Sequence, residues 1–284
     1  MQPLYPPAGP QSIGQALDSG FRIFQVSLVK CLLYGAVSMI AGQLPNIYFI
    51  AIGRPLRAFG GGDPLWAALY CVGAVIMLVM YAALLFRQHG IAAGQRLGTR
   101  VELSMAVRKL PAYLALIVLS VLVMLIGPAL VGLVGGVFGA FASQNYAVIF
   151  ICGLIGALPF VYVATPLAFG PPALLLDGKG PIRAIDYVLR LIRGNWWRAT
   201  AIFTVAVILV IVFYGVAMVI IGMVLPLAGA TDVATVTAAT GVVYVVLGSI
   251  GLPFLSAVLL ATYGDLKVRK EGVDLEKRVA SIAT

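Results

Sequence analysis

Long apolar runs separated by short charged segments set the pattern of this chain. Six of them, at 31–52, 65–86, 112–136, 147–176, 199–225 and 238–262, reach the roughly 20 residues that a helix needs to cross a hydrocarbon core about 30 Å thick. Their Leu, Val, Ile and Ala follow one another without alternation, which rejects the short dyad-alternating strands of a membrane barrel. Ahead of the first, third and fifth runs the pattern changes to a helical period with one polar face. Residues 12–28 place Ile13, Leu17, Phe21, Phe24 and Leu28 on one side and Asp18, Arg22 and Gln25 on the other. Residues 181–193 place Ile182, Ile185, Val188, Leu189 and Ile192 opposite Arg183, Asp186, Arg190 and Arg193. The pattern predicts an all-α polytopic membrane protein. Its six transmembrane helices form three repeats, each an interfacial amphipathic helix plus a transmembrane hairpin.

Local signals mark where these helices start and stop. Ser12 with Gln15 makes a capping box, as does Thr99 with Glu102 in the middle segment 99–110, which also carries Arg108 and Lys109. Pro181 suits a first helical position and Gly194 a C-terminal cap. Asp186 and Arg190 form an i,i+4 pair. The segment Ala16-Leu17-Asp18-x-x-Phe21-Arg22-Ile23-Phe24 aligns position by position with Ala184-Ile185-Asp186-x-x-Leu189-Arg190-Leu191-Ile192. This reads as a diverged duplication, with units of about 12–86, 99–176 and 180–262, tandem and parallel around an axis along the membrane normal. Flanking this membrane domain of 12–263 are a flexible Pro-rich leader, 1–11, and a charged cytoplasmic tail, 264–284.

Composition agrees with the pattern: 62% of the 284 residues are hydrophobic and 10% charged, with a mean hydropathy of +1.06. Seventeen of the nineteen Lys and Arg residues fall on one side of the six-span arrangement, leaving Arg54 and Arg57 on the other. The positive-inside rule then puts both termini in the cytoplasm. The net charge of +9 is accounted for by these span-flanking cations, so nucleic acid is not an expected partner. Residues 1–12 hold neither a cation nor an apolar core of a signal peptide, which makes the first span its own insertion signal.

Candidate chemistry is sparse. Every charged residue lies at or beyond a span end, which disfavours proton relays and ion-coupled transport. Cys31, Cys71 and Cys152 sit inside runs without CxxC spacing and read as small buried hydrophobes. His89, the single histidine, reads as a surface residue and cannot build a common metal site. No catalytic, cofactor-binding or metal-binding residues are predicted, and no cofactor. The Gly60-Gly61-Gly62-Asp63-Pro64 run reads as an external turn. Two features stand out at membrane depth. Gln43, Pro45 and Asn46 make a polar, kinking cluster in the first run, read either as interhelical hydrogen bonding or as a patch lining a cavity. Pro159, Pro166, Pro171 and Pro172 interrupt the long fourth run, while Gly132, Gly135, Gly136 and Gly139 give GxxxG spacings for close packing or, as a minority reading, a homodimer contact. A cationic, aromatic surface of Arg22, Arg183, Arg190, Arg193, Trp196, Trp197 and Arg198 can lie among anionic headgroups.

The stretch Phe169-Gly170-Pro171-Pro172-Ala173-Leu174-Leu175-Leu176-Asp177-Gly178-Lys179-Gly180-Pro181, continuing through Ala184 to Arg190, Gly194, Asn195, Trp196, Trp197 and Arg198, resembles a bacterial family. So does the opening Ser12-Ile13-Gly14-Gln15-Ala16-Leu17-Asp18-x-x-Phe21-Arg22. The family is the membrane domain found with glycerophosphoryl diester phosphodiesterases and in stand-alone YciC-like inner-membrane proteins. In fused members catalysis belongs to a separate soluble domain, which is absent here. The resemblance implies a six-helix membrane module and transfers no catalytic residue.

The leading expectation is a non-catalytic integral inner-membrane protein that engages anionic lipid on the cytoplasmic side or a protein partner, including a second copy of itself, in envelope upkeep or membrane-protein assembly. The rival is a passive or lipid-handling transporter with a cavity between the repeats, lined by Gln43, Asn46 and the kinked fourth segment. An enzyme acting on lipid headgroups ranks third, since no acid, base or nucleophile constellation is visible.

Overall fold

A computed structural model describes residues 4–52, 63–95, 97–141, 162–229 and 232–282, of which 126–141, 233 and 273–282 are described by backbone alone. Every regular element among them is α-helix: α1 (Ile13–Gly42), α2 (Leu44–Ala51), α3 (Pro64–Ala92), α4 (Thr99–Phe141), α5 (Gly170–Leu175), α6 (Pro181–Ile192), α7 (Trp196–Leu227) and α8 (Val233–Ile282). Residues 162–168 are helical as well. Five helices are long and apolar enough to cross a membrane: α1, α3, residues 99–125 of α4, α7, and residues 234–272 of α8. Along α7 the side chains of Val205, Ile208, Ile211, Phe213, Val216, Val219, Ile220 and Met223 all stand exposed. Water would penalise so wide an apolar surface, whereas lipid does not. These helices mark a multi-pass membrane protein.

The expected fourth span, 147–176, falls largely outside the described residues, as do Arg54, Arg57, the turn glycines Gly60, Gly61 and Gly62, Arg96, Cys152 and Pro159, and the packing of Gly132, Gly135, Gly136 and Gly139 is not among what is described. Two of the three expected amphipathic helices are not separate elements. Residues 12–28 run unbroken into the first apolar stretch as α1, because Val29, Lys30 and Cys31 hold neither Pro nor Gly and extending a helix is easier than nucleating another. The segment 99–110 likewise continues as α4 through Pro111, where one backbone bond is lost without ending the helix. Only 181–192 stands alone as α6. Gly194 at φ +90° supplies the left-handed stop that the first segment lacks.

Two compact units divide the chain: residues 1–110 with 201–284, and residues 111–200. In the first, α1 turns a face of small residues, including Ala16, Gly20, Ser27, Cys31, Gly35 and Ser38, toward the interior. A Cβ on Gly20 would stand 2.9 Å from Val258 Cα, and one on Gly35 would stand 2.5 Å from the Ser249 carbonyl oxygen. That carbonyl is four residues before Pro253, whose ring nitrogen cannot donate to it, so Pro253 frees an acceptor that Gly35 lets come close. The same device recurs where Pro45 frees the Ala41 carbonyl and Gly73 leaves room for it. Around these contacts Ala16, Ile202, Ala206, Phe254 and Val258 form a buried apolar cluster. Gln88, fully buried, donates Nε2 to the Pro253 carbonyl at 2.7 Å.

The leader, read from composition as flexible, is docked from residue 4 onward. Leu4 and Tyr5 donate their backbone N–H groups to the Ala92 carbonyl at 2.7 and 3.1 Å. Tyr5 is buried against His89, ring centroids 5.0 Å apart, so His89 is half-buried and not the surface residue expected. The fully buried Asp265 accepts the Gln11 N–H at 2.7 Å and pairs with Arg269 at 3.1 Å, while Arg269 Nη2 donates to the Gln11 carbonyl. Residues 264–282, expected as a separate tail, are the end of α8.

The second unit packs α6 against α5 and its neighbours. Ala184, Ile185, Val188, Leu191 and Ile192 are buried, as are Leu116, Phe169, Leu174 and Leu175. Gly170 admits the Leu116 side chain, whose Cδ2 would lie 3.3 Å from a Cβ there. The buried stripe is rotated from the expected one: Ile182 and Leu189 stand exposed, at 74% and 47%.

Candidate functional site

Two regions carry the residues singled out from sequence, one in each unit. In the second unit Pro181 opens α6 and Gly194 closes it, so that Arg190 and Arg193 reach the same end of the helix as Trp196 and Trp197. Arg183, Arg190 and Arg193 are exposed. Asp186 pairs with Arg190 at 2.7 Å across one turn, as expected, and leaves both side chains more than half exposed; such a pair is worth about 0.3–0.5 kcal/mol. Trp196 donates Nε1 to the Tyr162 carbonyl at 3.0 Å and lies against the Tyr162 ring at 5.2 Å. Trp197 meets Trp196 edge-on at 4.7 Å and is itself 80% exposed. Between these groups lies a cleft of 400 Å³ lined by Arg190, Arg193 and Asp186 and by Tyr162, Pro166 and Trp196. Arg198, at the start of α7, is half-buried. Arg22 belongs to the first unit, on α1, where it pairs with Asp18 at 2.9 Å. The two aligned sequence segments thus carry the same Asp–Arg pair at the same spacing.

In the first unit the kink in α1 falls at Gln43, which links α1 to α2 with Pro45 inside the first turn of α2. Asn46 Nδ2 donates to Gln43 Oε1 at 2.8 Å. The two amides line a cavity of 590 Å³ whose other walls include Met39, Met77, Met218, Tyr70, Thr240 and Tyr244. On their other side is a second hollow of 360 Å³, walled mainly by Ile and Val. The lining comes from α1, α2, α3, α7 and α8, and the fourth segment contributes no described residue. Nearby, Asp63 caps α3 through the Leu65 and Trp66 N–H groups and accepts the Tyr48 hydroxyl at 2.9 Å. Trp66, Tyr70, Phe49 and Tyr48 cluster there, an aromatic group of the kind found at membrane interfaces.

A third constellation was not anticipated from sequence. Glu102, 1% exposed, accepts the Arg87 Nε–H and the Tyr34 hydroxyl on one oxygen, each at 2.7 Å. Arg87 Nη2 also donates to Thr99 Oγ1 at 2.7 Å and to the Tyr34 oxygen at 3.3 Å. The network ties α1, α3 and α4 together. The remaining Glu102 oxygen is buried without a partner among the described residues. Among the cavities described none opens onto it, and the network clamps the three helices to one another. The capping box expected of Thr99 and Glu102 does not form: the helix begins at Thr99 itself, and both side chains turn to Arg87, an arrangement that follows only from packing.

No family model matches the chain, and neither the curated proteins nor the solved structures include a match.

Proposed function

We propose that this chain is a non-catalytic integral protein of the bacterial inner membrane, with six spans in three related units and both termini in the cytoplasm. It engages anionic lipid headgroups or a protein partner through the α6 face, in envelope upkeep or membrane-protein assembly. The observation that carries this reading is the cleft that Arg190 and Arg193 line together with Tyr162 and Trp196. Cations beside an exposed indole suit the headgroup layer, where each Lys or Arg adds about 1 kcal/mol toward an anionic leaflet. Reversing Arg183, Arg190 and Arg193 together to Glu tests it. Co-purifying anionic lipid and any bound partner should fall away in native-membrane nanodiscs; unchanged recovery of both would remove this face from the function.

The cavity at Gln43 and Asn46 favours a second reading, a passive or lipid-handling transporter. Uncharged cargo needs no ionisable group at membrane depth. Replacing both amides with Leu should abolish movement of such cargo across a reconstituted bilayer. Undiminished flux would sink the transport reading as built on these residues.

A further inference from the structure

The two hollows at the end of α1 differ in chemistry and share a boundary. Gln43, Asn46, Thr237 and Gly241 line both. On one side of them the 590 Å³ cavity presents amides, hydroxyls and three methionine side chains. On the other, the 360 Å³ hollow is an open groove lined by Ile40, Ile47, Ile50, Val242, Val245 and Val246. Both volumes fall in the range of small-molecule sites, roughly 300–1,000 Å³. Gly241 lies at the junction, where a Cβ would make ordinary contact with Gln43 Oε1 at 3.6 Å and a larger side chain would enter the space between the hollows.

Hydrogen-bonding capacity is left over at this junction. Gln43 Oε1 is occupied by Asn46 Nδ2, which leaves Gln43 Nε2 as a donor and Asn46 Oδ1 as an acceptor without a protein partner among the described residues. The phenol groups of Tyr70 and Tyr244 border the same cavity. Within an apolar surround such groups need a partner, and methionine walls adapt to varied shapes. No Lys, Arg, Asp, Glu or His lines either hollow, so nothing there would offset desolvation of a phosphate or an ammonium.

We infer that Gln43 and Asn46 hold the headgroup of an uncharged, hydroxyl-bearing lipid of the diacylglycerol class, with an acyl chain in the groove of Ile40, Ile47, Val245 and Val246. Asn46 Oδ1 accepts from the free hydroxyl and Gln43 Nε2 donates to an ester carbonyl. The inference deepens the second reading above and rests on it for the use of this cavity, but it asserts binding and not flux.

The test uses the full chain in nanodiscs doped with a diacylglycerol that carries a diazirine on its acyl chain, beside a phosphatidylglycerol with the same labelled chain. After irradiation, peptide mass spectrometry should find the diacylglycerol label concentrated on residues 40–50 and 242–246, displaced by unlabelled diacylglycerol. Labelling should drop about tenfold in Gln43→Leu with Asn46→Leu, as expected for the loss of one or two hydrogen bonds. A similar drop is expected in Gly241→Leu, which fills the junction and keeps both amides. Displacement in the unaltered protein needs no variant, so misfolding cannot mask the answer. Equal labelling by the phosphatidylglycerol probe, label that unlabelled diacylglycerol does not displace, or label spread evenly over exposed positions such as Val212 and Val216 would each overturn the site. Saturable labelling without movement of diacylglycerol between leaflets keeps the site and ends the transport reading. Movement without saturable labelling does the reverse.

Discussion

Glycine and proline act here as matched pairs across helices. Pro253 strips the Ser249 carbonyl of its donor and Gly35 gives that carbonyl a near neighbour. Gly35→Ala should therefore destabilise the protein by about 1–3 kcal/mol through overpacking, whereas Gly222→Ala, with nothing within 4 Å of the new methyl, should be neutral or stabilising. Unfolding midpoints in detergent distinguish the two. Glu102→Ala leaves Arg87, only 15% exposed, without its carboxylate, at a cost of about 3 kcal/mol. Glu102→Gln keeps an acceptor for Tyr34 and should lose less in the same assay. Neither role was legible in the sequence. Gly35 and Ser249 lie in apolar runs that look alike from end to end, and the Tyr34–Glu102 bond joins residues 68 positions apart. The small-residue spacing of Ala16 with Gly20 and of Ser27, Cys31 and Gly35 was the available signal, though it is fainter than the denser glycine spacing at 132–139.

Elements were readable where their determinants are local. The Ser12–Gln15 box, Pro181 at the start of α6, Gly194 at its end and the Asp186–Arg190 pair all stand as the sequence implied, because each depends on residues within one turn. Helix continuity was not readable, since a change from amphipathic to apolar pattern looks like a boundary whether or not the backbone breaks. Asp232 is a further local device: its carboxylate accepts the Thr235 N–H at 2.8 Å ahead of α8, and that bond, then the Thr235 hydroxyl, holds its pKa below the usual 3.8. A lowered folded-state pKa means that the cap is fully present above the unfolded value and is lost as pH falls through the folded one. Exchange protection of the Thr235 amide, corrected for intrinsic rate, should hold steady from pH 8 to about 5 and decline only below about 4. In Asp232→Asn it should not follow pH. The leader belongs to this scale too. Asp265→Ala removes the acceptor of the Gln11 N–H and the partner of Arg269, so hydrogen exchange at Leu4, Tyr5 and Gln11 should rise by at least about tenfold, as for one lost hydrogen bond.

At the scale of the molecule, the apolar runs announced a membrane protein, and five helices of sufficient length and apolarity follow from them. The proposed six-span topology makes a definite claim about Gly229 and the C-terminus. A reporter active only outside the cytoplasm should be silent after residue 284 and active when inserted at Gly229, between α7 and α8; the opposite result would invert the topology. The placement of Gln43 beside Thr237 and Gly241 could not be read from sequence, because tandem spans do not say which of them are neighbours. Neighbourhood has a consequence of its own. The first helix finds its broadest partner in the last one, and Gln11 is clamped by a residue 254 positions downstream. A ribosome delivering this chain must therefore leave α1 waiting in the bilayer, its small-residue face filled by lipid, until α8 is made. Maturation thus waits on the synthesis of α8, and a chain cut short before Gly248 would present quality-control proteases with a first helix held by α3 but lacking its broadest partner.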